Sequence, residues 1–233
     1  MGALVYFLVG YSQLWLAALV AYFCGCFNGA VIVSKYILRD DVRNHGSGNA
    51  GLTNFFRTFG GPLTVVVILT DVLKAIVAIL VSVWLGGLFD PRILPTTPLE
   101  NQAMILVFFK YWGGLFCLLG HMFPCMFHFK GGKGILSGGT IAIMIDWRVA
   151  LVVWGGFLIL AVLTRYVSLG SIAATASMPV SVFLLMGHNW LYTALSAAVA
   201  ALVIWCHRGN IQRLLTGRNA HHAIDGLASS DGQ

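Results

Sequence analysis

Apolar and polar positions fall in long blocks along this chain, not in the short periods of a water-soluble fold. A spanning helix needs about 20 mostly apolar residues, and the blocks supply that length repeatedly. The first candidate runs from Leu4 to Val33, interrupted at Gly25 and at Asn28-Gly29. The polar block after it, Ser34 to Gly61, is too long and too glycine-rich for a simple connection. The second span covers Pro62 to Leu88; after a proline-punctuated loop, Asp90 to Gln102, the third covers Ala103 to Gly120. A short fourth run, Ile135 to Ile145, precedes a fifth at Val149 to Leu163, a sixth at Ile172 to Met186 and a seventh at Leu191 to Cys206. The pattern predicts an all-α integral membrane protein of seven transmembrane helices, with one short or broken span after the Lys130–Gly134 loop. Residues 1–217 form one domain on this reading, and 218–233 are a disordered cytoplasmic tail.

Composition agrees with the blocks. Hydrophobic residues make up 58% of the 233 and charged residues 9%, with mean hydropathy +0.85, so the chain lacks the polar surface a soluble domain needs. The net charge of +6 comes from having only eight acids, which points the loops at anionic lipid and anionic substrates. No basic-aromatic pattern for nucleic acid is present. The five cysteines, mostly within apolar runs, show no metal-ligand spacing and read as small core residues. No basic n-region precedes the first apolar run, so it reads as a retained span and not a cleaved signal.

Charge also orients the chain. The connections after spans one, three, five and seven hold ten Lys and Arg residues, against Arg92 and Arg148 on the other side. By the positive-inside rule the N-terminus lies outside and the C-terminus in the cytoplasm. Asp71 and Lys74, three apart within span two, share one helical face and are expected to turn inward, as a functional pair or as a mutually neutralised packing pair.

Two stretches on the cytoplasmic side carry candidate chemistry. Gly120-His121-Met122-Phe123-Pro124 runs on to Phe129-Lys130-Gly131-Gly132-Lys133-Gly134. Glycines expose backbone N–H groups and lysines add fixed charge, a nest for phosphate or carboxylate. The nucleotide P-loop is excluded, because Gly134 stands where a Ser or Thr must follow the lysine. An ordinary lysine-rich turn between spans is the alternative. The second stretch has Gly46, Gly48 and Gly51 for close backbone approach, Ser47, Asn49, Thr53 and Asn54 as neutral hydrogen-bonding groups, and Arg57 to grip an anion.

Two anion nests on one membrane face suit a reaction between two phosphorylated substrates. Dianions about 6 Å apart repel by about 10 kcal/mol at an effective dielectric of about 20. Several fixed cations are therefore needed, and Arg57, Lys130, Lys133 and Arg213 are placed to supply them, with His207 and Asn210 adding polar contacts. A transporter of small organic phosphates and a lipid-binding scaffold use similar loops; no inverted repeat supports the first.

Gly46-Ser47-Gly48-Asn49 with Thr53-Asn54 and Arg57, Gly120-His121 with the Lys130–Gly134 run, Arg165-Tyr166-Val167-Ser168, and His207-Arg208 with Asn210 and Arg213 to Gly217 together resemble the bacterial PlsY-type acyl-phosphate:glycerol-3-phosphate acyltransferases. The resemblance implies a seven-helix enzyme of the bacterial inner membrane with its active site facing the cytoplasm. It implies transfer of a fatty acyl group from long-chain acyl phosphate to the 1-hydroxyl of glycerol 3-phosphate, giving lysophosphatidic acid and phosphate, the first acylation of phospholipid synthesis. No cofactor or metal is implied; functional coupling to the enzyme that forms acyl phosphate is. Ser47, Arg57, Lys130, His207 and Asn210 become the expected catalytic set. Gly46, Gly48, Asn49, Thr53, Asn54, His121, Gly131, Gly132, Lys133, Gly134 and Arg213 are expected to bind substrate, with Ser168 or Ser171 near the acyl phosphate. Three departures stand out: Asn219 where the family has an acid, Leu52 for alanine, and Ile135-Leu136-Ser137 for Val-Ala-Thr.

Acyl phosphate is already activated, so positioning and charge stabilisation can supply the acceleration without a covalent acyl-enzyme. The base is His207, His121 or a phosphate oxygen of the substrate.

Overall fold

The computed structural model describes residues 12–87 and 99–216. The expected start at Leu4, residues 90–98 of the span-two to span-three loop, Gly217 and the tail lie outside them. No strand occurs among the described residues. In order they form α1 (Ser12–Cys26), α2 (Gly29–Ile32) continuing into a π-helical turn (Val33–Ile37), α3 (Leu52–Phe59), α4 (Leu63–Gly87), α5 (Leu99–Met122), α6 (Ile135–Ile145), α7 (Trp147–Thr164), α8 (Val167–Leu185), α9 (Trp190–Cys206) and α10 (Arg208–Leu215).

Four helices, α4, α5, α7 and α8, are long and apolar enough to cross a bilayer alone, and two bent pairs raise the number to six. The pairs are α1 with α2 and its π-helical turn, bent by 40°, and α9 with α10, bent by 60°. The remaining expected span, α6, has 11 residues. At 1.5 Å per residue it is about 16 Å long, roughly half the hydrocarbon core. The interruption of the first apolar run is a real break: Asn28 caps α2 by accepting from the Val31 N–H at 3.1 Å, and its amide donates to the Ala50 carbonyl at 3.0 Å.

Helices α1, α4 and α5 pack against one another as a trio, and α8 packs between α7 and α9. The short α6 sits between the two groups against α4, α5 and α7, while α9 returns to α5. Between apolar helices in lipid, close fit replaces the hydrophobic effect as the source of association. Gly25 and Gly120 show that fit where α1 crosses α5. A Cβ on Gly25 would lie 2.0 Å from the Cys117 carbonyl oxygen, and one on Gly120 2.0 Å from that of Tyr22. Tyr111, Leu118, Ile141, Val149 and Val182 fill the shared core. Leu158, Ile159, Val162 and Leu163 of α7 point outward, as residues meeting acyl chains do.

Asp71 and Lys74 face inward from α4 and meet at 2.6 Å. The polar block, too long for a simple connection, contains the amphipathic α3, whose Phe55 packs on Ala30, Val42 and Val67 beneath the first glycine stretch.

Candidate active site

The first glycine stretch is held from inside by Asn54. Its carbonyl oxygen accepts the Ser47 N–H at 3.0 Å, and its amide donates to the Val42 and His45 carbonyls at 2.9 and 3.0 Å. Asn54 is buried, so its hydrogen bonds are spent shaping the turn. That turn needs left-handed backbone at Gly46 and Gly48, where φ is +53° and +67°. Ser47, Thr53 and Arg57 stand exposed along the surface it makes.

Arg43, which carries no motif signal, ties this stretch to the second. Its guanidinium pairs with Asp41 at 2.7 Å and donates to the carbonyls of Phe127 at 2.9 Å and Lys130 at 3.3 Å. The partnership holds the Asp41 carboxyl below the usual carboxylate range. Only the spatial meeting of residues more than 80 apart in sequence shows this brace.

In the second stretch the middle glycines donate their N–H groups back to the end of α5. Gly131 donates to Met122 and Gly132 to His121, both at 3.1 Å. Their amides are thus engaged, and what glycine provides here is proximity: a Cβ on Gly131 would lie 2.0 Å from the His121 carbonyl oxygen. The N–H groups of Lys133 and Gly134 have no acceptor among the described residues. Gly134, at φ +76°, begins α6 without a side-chain cap. A helix start without a cap, followed by free first-turn N–H groups, attracts anions.

The side chains converge at this point. Lys133 Nζ donates to Asn210 Oδ1, Arg213 donates to the same oxygen at 3.0 Å, and Asn210 Nδ2 donates to Ser168 Oγ. Three segments, before α6, at the start of α8 and in α10, thereby meet at one amide. The Lys133 ammonium is pushed down to about 8, first by burial, then by the charge of Arg213 and more weakly of Arg57, with Cys206 acting the other way. Arg57 is therefore within electrostatic reach of the same place. His207 is buried at the α9–α10 bend, and its Nδ1 lies 2.8 Å from the Val203 carbonyl. A carbonyl only accepts, so Nδ1 carries the proton and, in neutral imidazole, Nε2 keeps the lone pair.

Next to this polar cluster opens a narrow apolar cleft, lined among others by Gly134, Ile135, Trp154, Phe157, Met178 and Val203. Gly134 belongs to both places: it follows Lys133 and lines the cleft. Ser171 also lines it, with its hydroxyl donating to the Val167 carbonyl at 2.9 Å.

Lys133, Ser168, Asn210 and Arg213 are thus brought together, with Arg57 close by. Lys130 is exposed on the loop, its ammonium without a partner among the described residues. Ser47, Asn49 and Thr53 are in the neighbouring stretch without a direct bond to the cluster. His121 lies beneath the loop, its Nδ1 engaged by Lys74 at 2.6 Å. An ammonium has no lone pair, so this nitrogen accepts and cannot also take a substrate proton.

The family described as Glycerol-3-phosphate acyltransferase matches residues 15–217. A glycerol-3-phosphate acyltransferase of Thermoanaerobacter pseudethanolicus is 36% identical over 205 residues, covering 87% of this chain and 92% of the relative. One from Pseudomonas putida is 32% identical over 207 residues, covering 89% and 98%. Among solved structures, the chain is similar to the glycerol 3-phosphate form of PlsY (YgiH), an integral membrane glycerol 3-phosphate acyltransferase. That likeness has a TM-score of 0.77 at 31% identity, over 93% of this chain and 99% of the other.

Proposed function

The chain belongs to the glycerol-3-phosphate acyltransferase family, and from that premise we propose that it acylates the 1-hydroxyl of glycerol 3-phosphate using long-chain acyl phosphate. Lysophosphatidic acid and inorganic phosphate are the products. The carrying observation is the junction of Lys133, Asn210, Ser168 and Arg213 at the mouth of an apolar cleft. A cationic seat for phosphate thereby adjoins a slot for an acyl chain. The names of the relatives support the acceptor, and PlsY has also been solved in a lysophosphatidic acid form, a molecule of the same chemistry as the proposed product.

In this scheme the exposed Ser47, Arg57, Lys130 and Arg213 and the half-buried Lys133 hold the two phosphate groups, and Asn210 and Ser168 fix the distance between them. The glycerol hydroxyl attacks the acyl carbonyl carbon; the new ester C–O bond forms as the carbonyl-carbon bond to the phosphate oxygen breaks. The hydroxyl proton passes to His207 Nε2 or to a substrate phosphate oxygen, and phosphate leaves with the bond's electron pair. Lys133 and the N–H groups at the start of α6 stabilise its charge. Direct transfer needs no acyl-enzyme, so trapping an acylated Ser47 during turnover contradicts the scheme.

Residues 1–217 act as one domain of seven spans in the bacterial inner membrane, the N-terminus outside and the cationic mouth in the cytoplasm. That placement lets the enzyme take acyl phosphate from the enzyme that forms it. The test offers purified protein glycerol 3-phosphate with palmitoyl phosphate, palmitoyl-CoA or the acyl carrier protein thioester. Product from palmitoyl phosphate is expected; turnover with the thioesters alone overturns the donor.

A further inference from the structure

Asp71, Lys74 and His121 form a polar knot that the proposed reaction does not use, and they are only 3%, 6% and 2% exposed. Lys74 Nζ lies 2.6 Å from Asp71 Oδ1, 2.6 Å from His121 Nδ1 and 3.0 Å from the Phe27 carbonyl oxygen. Two of the ammonium's N–H groups are hydrogen-bonded, to the Phe27 carbonyl and to His121 Nδ1, while Asp71 Oδ1 meets the charge as an ion pair without hydrogen-bond geometry. His121 Nδ1 therefore accepts, and the neutral ring keeps its proton on Nε2. Ring orientation and tautomer are both set by the lysine.

The ring held in this way is the floor of the glycine loop. A Cβ on Gly132 would stand 2.3 Å from His121 Nε2, so only the thickness of a glycine separates the loop backbone from the imidazole. The same helix segment carries the carbonyls that accept from Gly131 and Gly132. On the far side of Lys133, Ser137 in the first turn of α6 donates to the Asp71 backbone carbonyl at 3.1 Å. One support of Lys133 thus rests on the imidazole and the other on the α4 backbone at Asp71.

We infer that Asp71 and Lys74 are positioning residues: acting through His121, they set the height and tilt of the glycine loop so that Lys133 meets Asn210. The inference rests on the reading that this loop holds substrate phosphate. Stability alone is a poor reason for such a pair, because exchanging a buried ion pair for apolar residues of similar size is often neutral or stabilising.

The test compares Lys74→Met, the charge-free pair Asp71→Leu/Lys74→Met, and Gly132→Ala, which lifts the loop off the ring without touching the charges. Kinetic constants are measured for both substrates beside thermal midpoints in detergent. All three are expected to raise the KM for glycerol 3-phosphate about tenfold, the scale of one lost hydrogen bond to a charged group. The KM for palmitoyl phosphate, whose departing phosphate Lys133 also meets, rises with it, and the double variant keeps a near wild-type midpoint. Nitrogen-15 NMR of labelled histidine reads the tautomer directly: Nε2–H at His121 in the wild type, a mixture in Lys74→Met. Unmoved KM values in the double variant and in Gly132→Ala overturn the inference, as does an Nδ1–H tautomer in the wild type. If the wild type forms no lysophosphatidate, the proposed function fails instead, and the tautomer still decides this point.

Discussion

Asn210→Ala removes the one oxygen that gathers Lys133 and Arg213, together with the donor to Ser168. A hydrogen bond from a charged group contributes about 1.5 to 3 kcal/mol net when buried. The site opens to solvent on the α10 side, where Arg213 is exposed, so the low end applies to both cations. The two together come to about 3 kcal/mol, or about 150-fold in kcat/KM. Ser168→Ala loses a single neutral bond and is expected to cost about fivefold, near 1 kcal/mol. Lysophosphatidate formation by purified variants, with folding checked by thermal midpoint, measures both. Asn210→Ala within about threefold of wild type, or Ser168→Ala costing as much as Asn210→Ala, refutes the idea that the amide organises the cations.

The depressed Lys133 ammonium gives a pH signature: if its charge is needed, kcat/KM declines as pH rises through about 8, well below the ordinary lysine range. Arg213→Met removes the larger of the two opposing charges and shifts that limb upward. Stability moves the other way, because from about pH 8 to 10.5 the unfolded chain binds more protons at Lys133 than the folded one, and the unfolding free energy rises with pH there. Gly120→Val drives a side chain into the Tyr22 carbonyl and is expected to destabilise the α1–α5 crossing by about 3 kcal/mol, seen as a lower thermal midpoint. Met178→Trp, which narrows the cleft, shifts the preferred donor to shorter acyl phosphates, read from kcat/KM across chain lengths.

Much of this was legible in the sequence because membranes impose long, simple patterns. Span positions, the shortness of α6 and the inward pairing of Asp71 with Lys74 follow from hydropathy length and from i,i+3 spacing on a helix. Lys133 was also readable, since lysines among glycines have few other uses in such a chain, while the place of Ser168 came only from the family resemblance. What stayed hidden depends on partners distant in sequence. The Gly131 and Gly132 amides looked available until the carbonyls ending α5 were seen to accept them. Asn54 read as a substrate donor, yet its hydrogen bonds brace its own turn. Arg43 belongs to no recognisable pattern and became visible only by its bonds to Phe127 and Lys130. The π-helical turn after α2 had no signal at the boundary between the apolar run and the polar block, where it lies.

The most direct measurement is an experimental structure of the protein with glycerol 3-phosphate bound. The phosphate is expected within contact distance of Lys133, with Arg57 and Arg213 around it, and the 1-hydroxyl turned toward the apolar cleft beside Gly134. A phosphate seated elsewhere, such as the aromatic groove of Trp15, Tyr22 and Phe129 between α1 and α5, would contradict a single shared pocket.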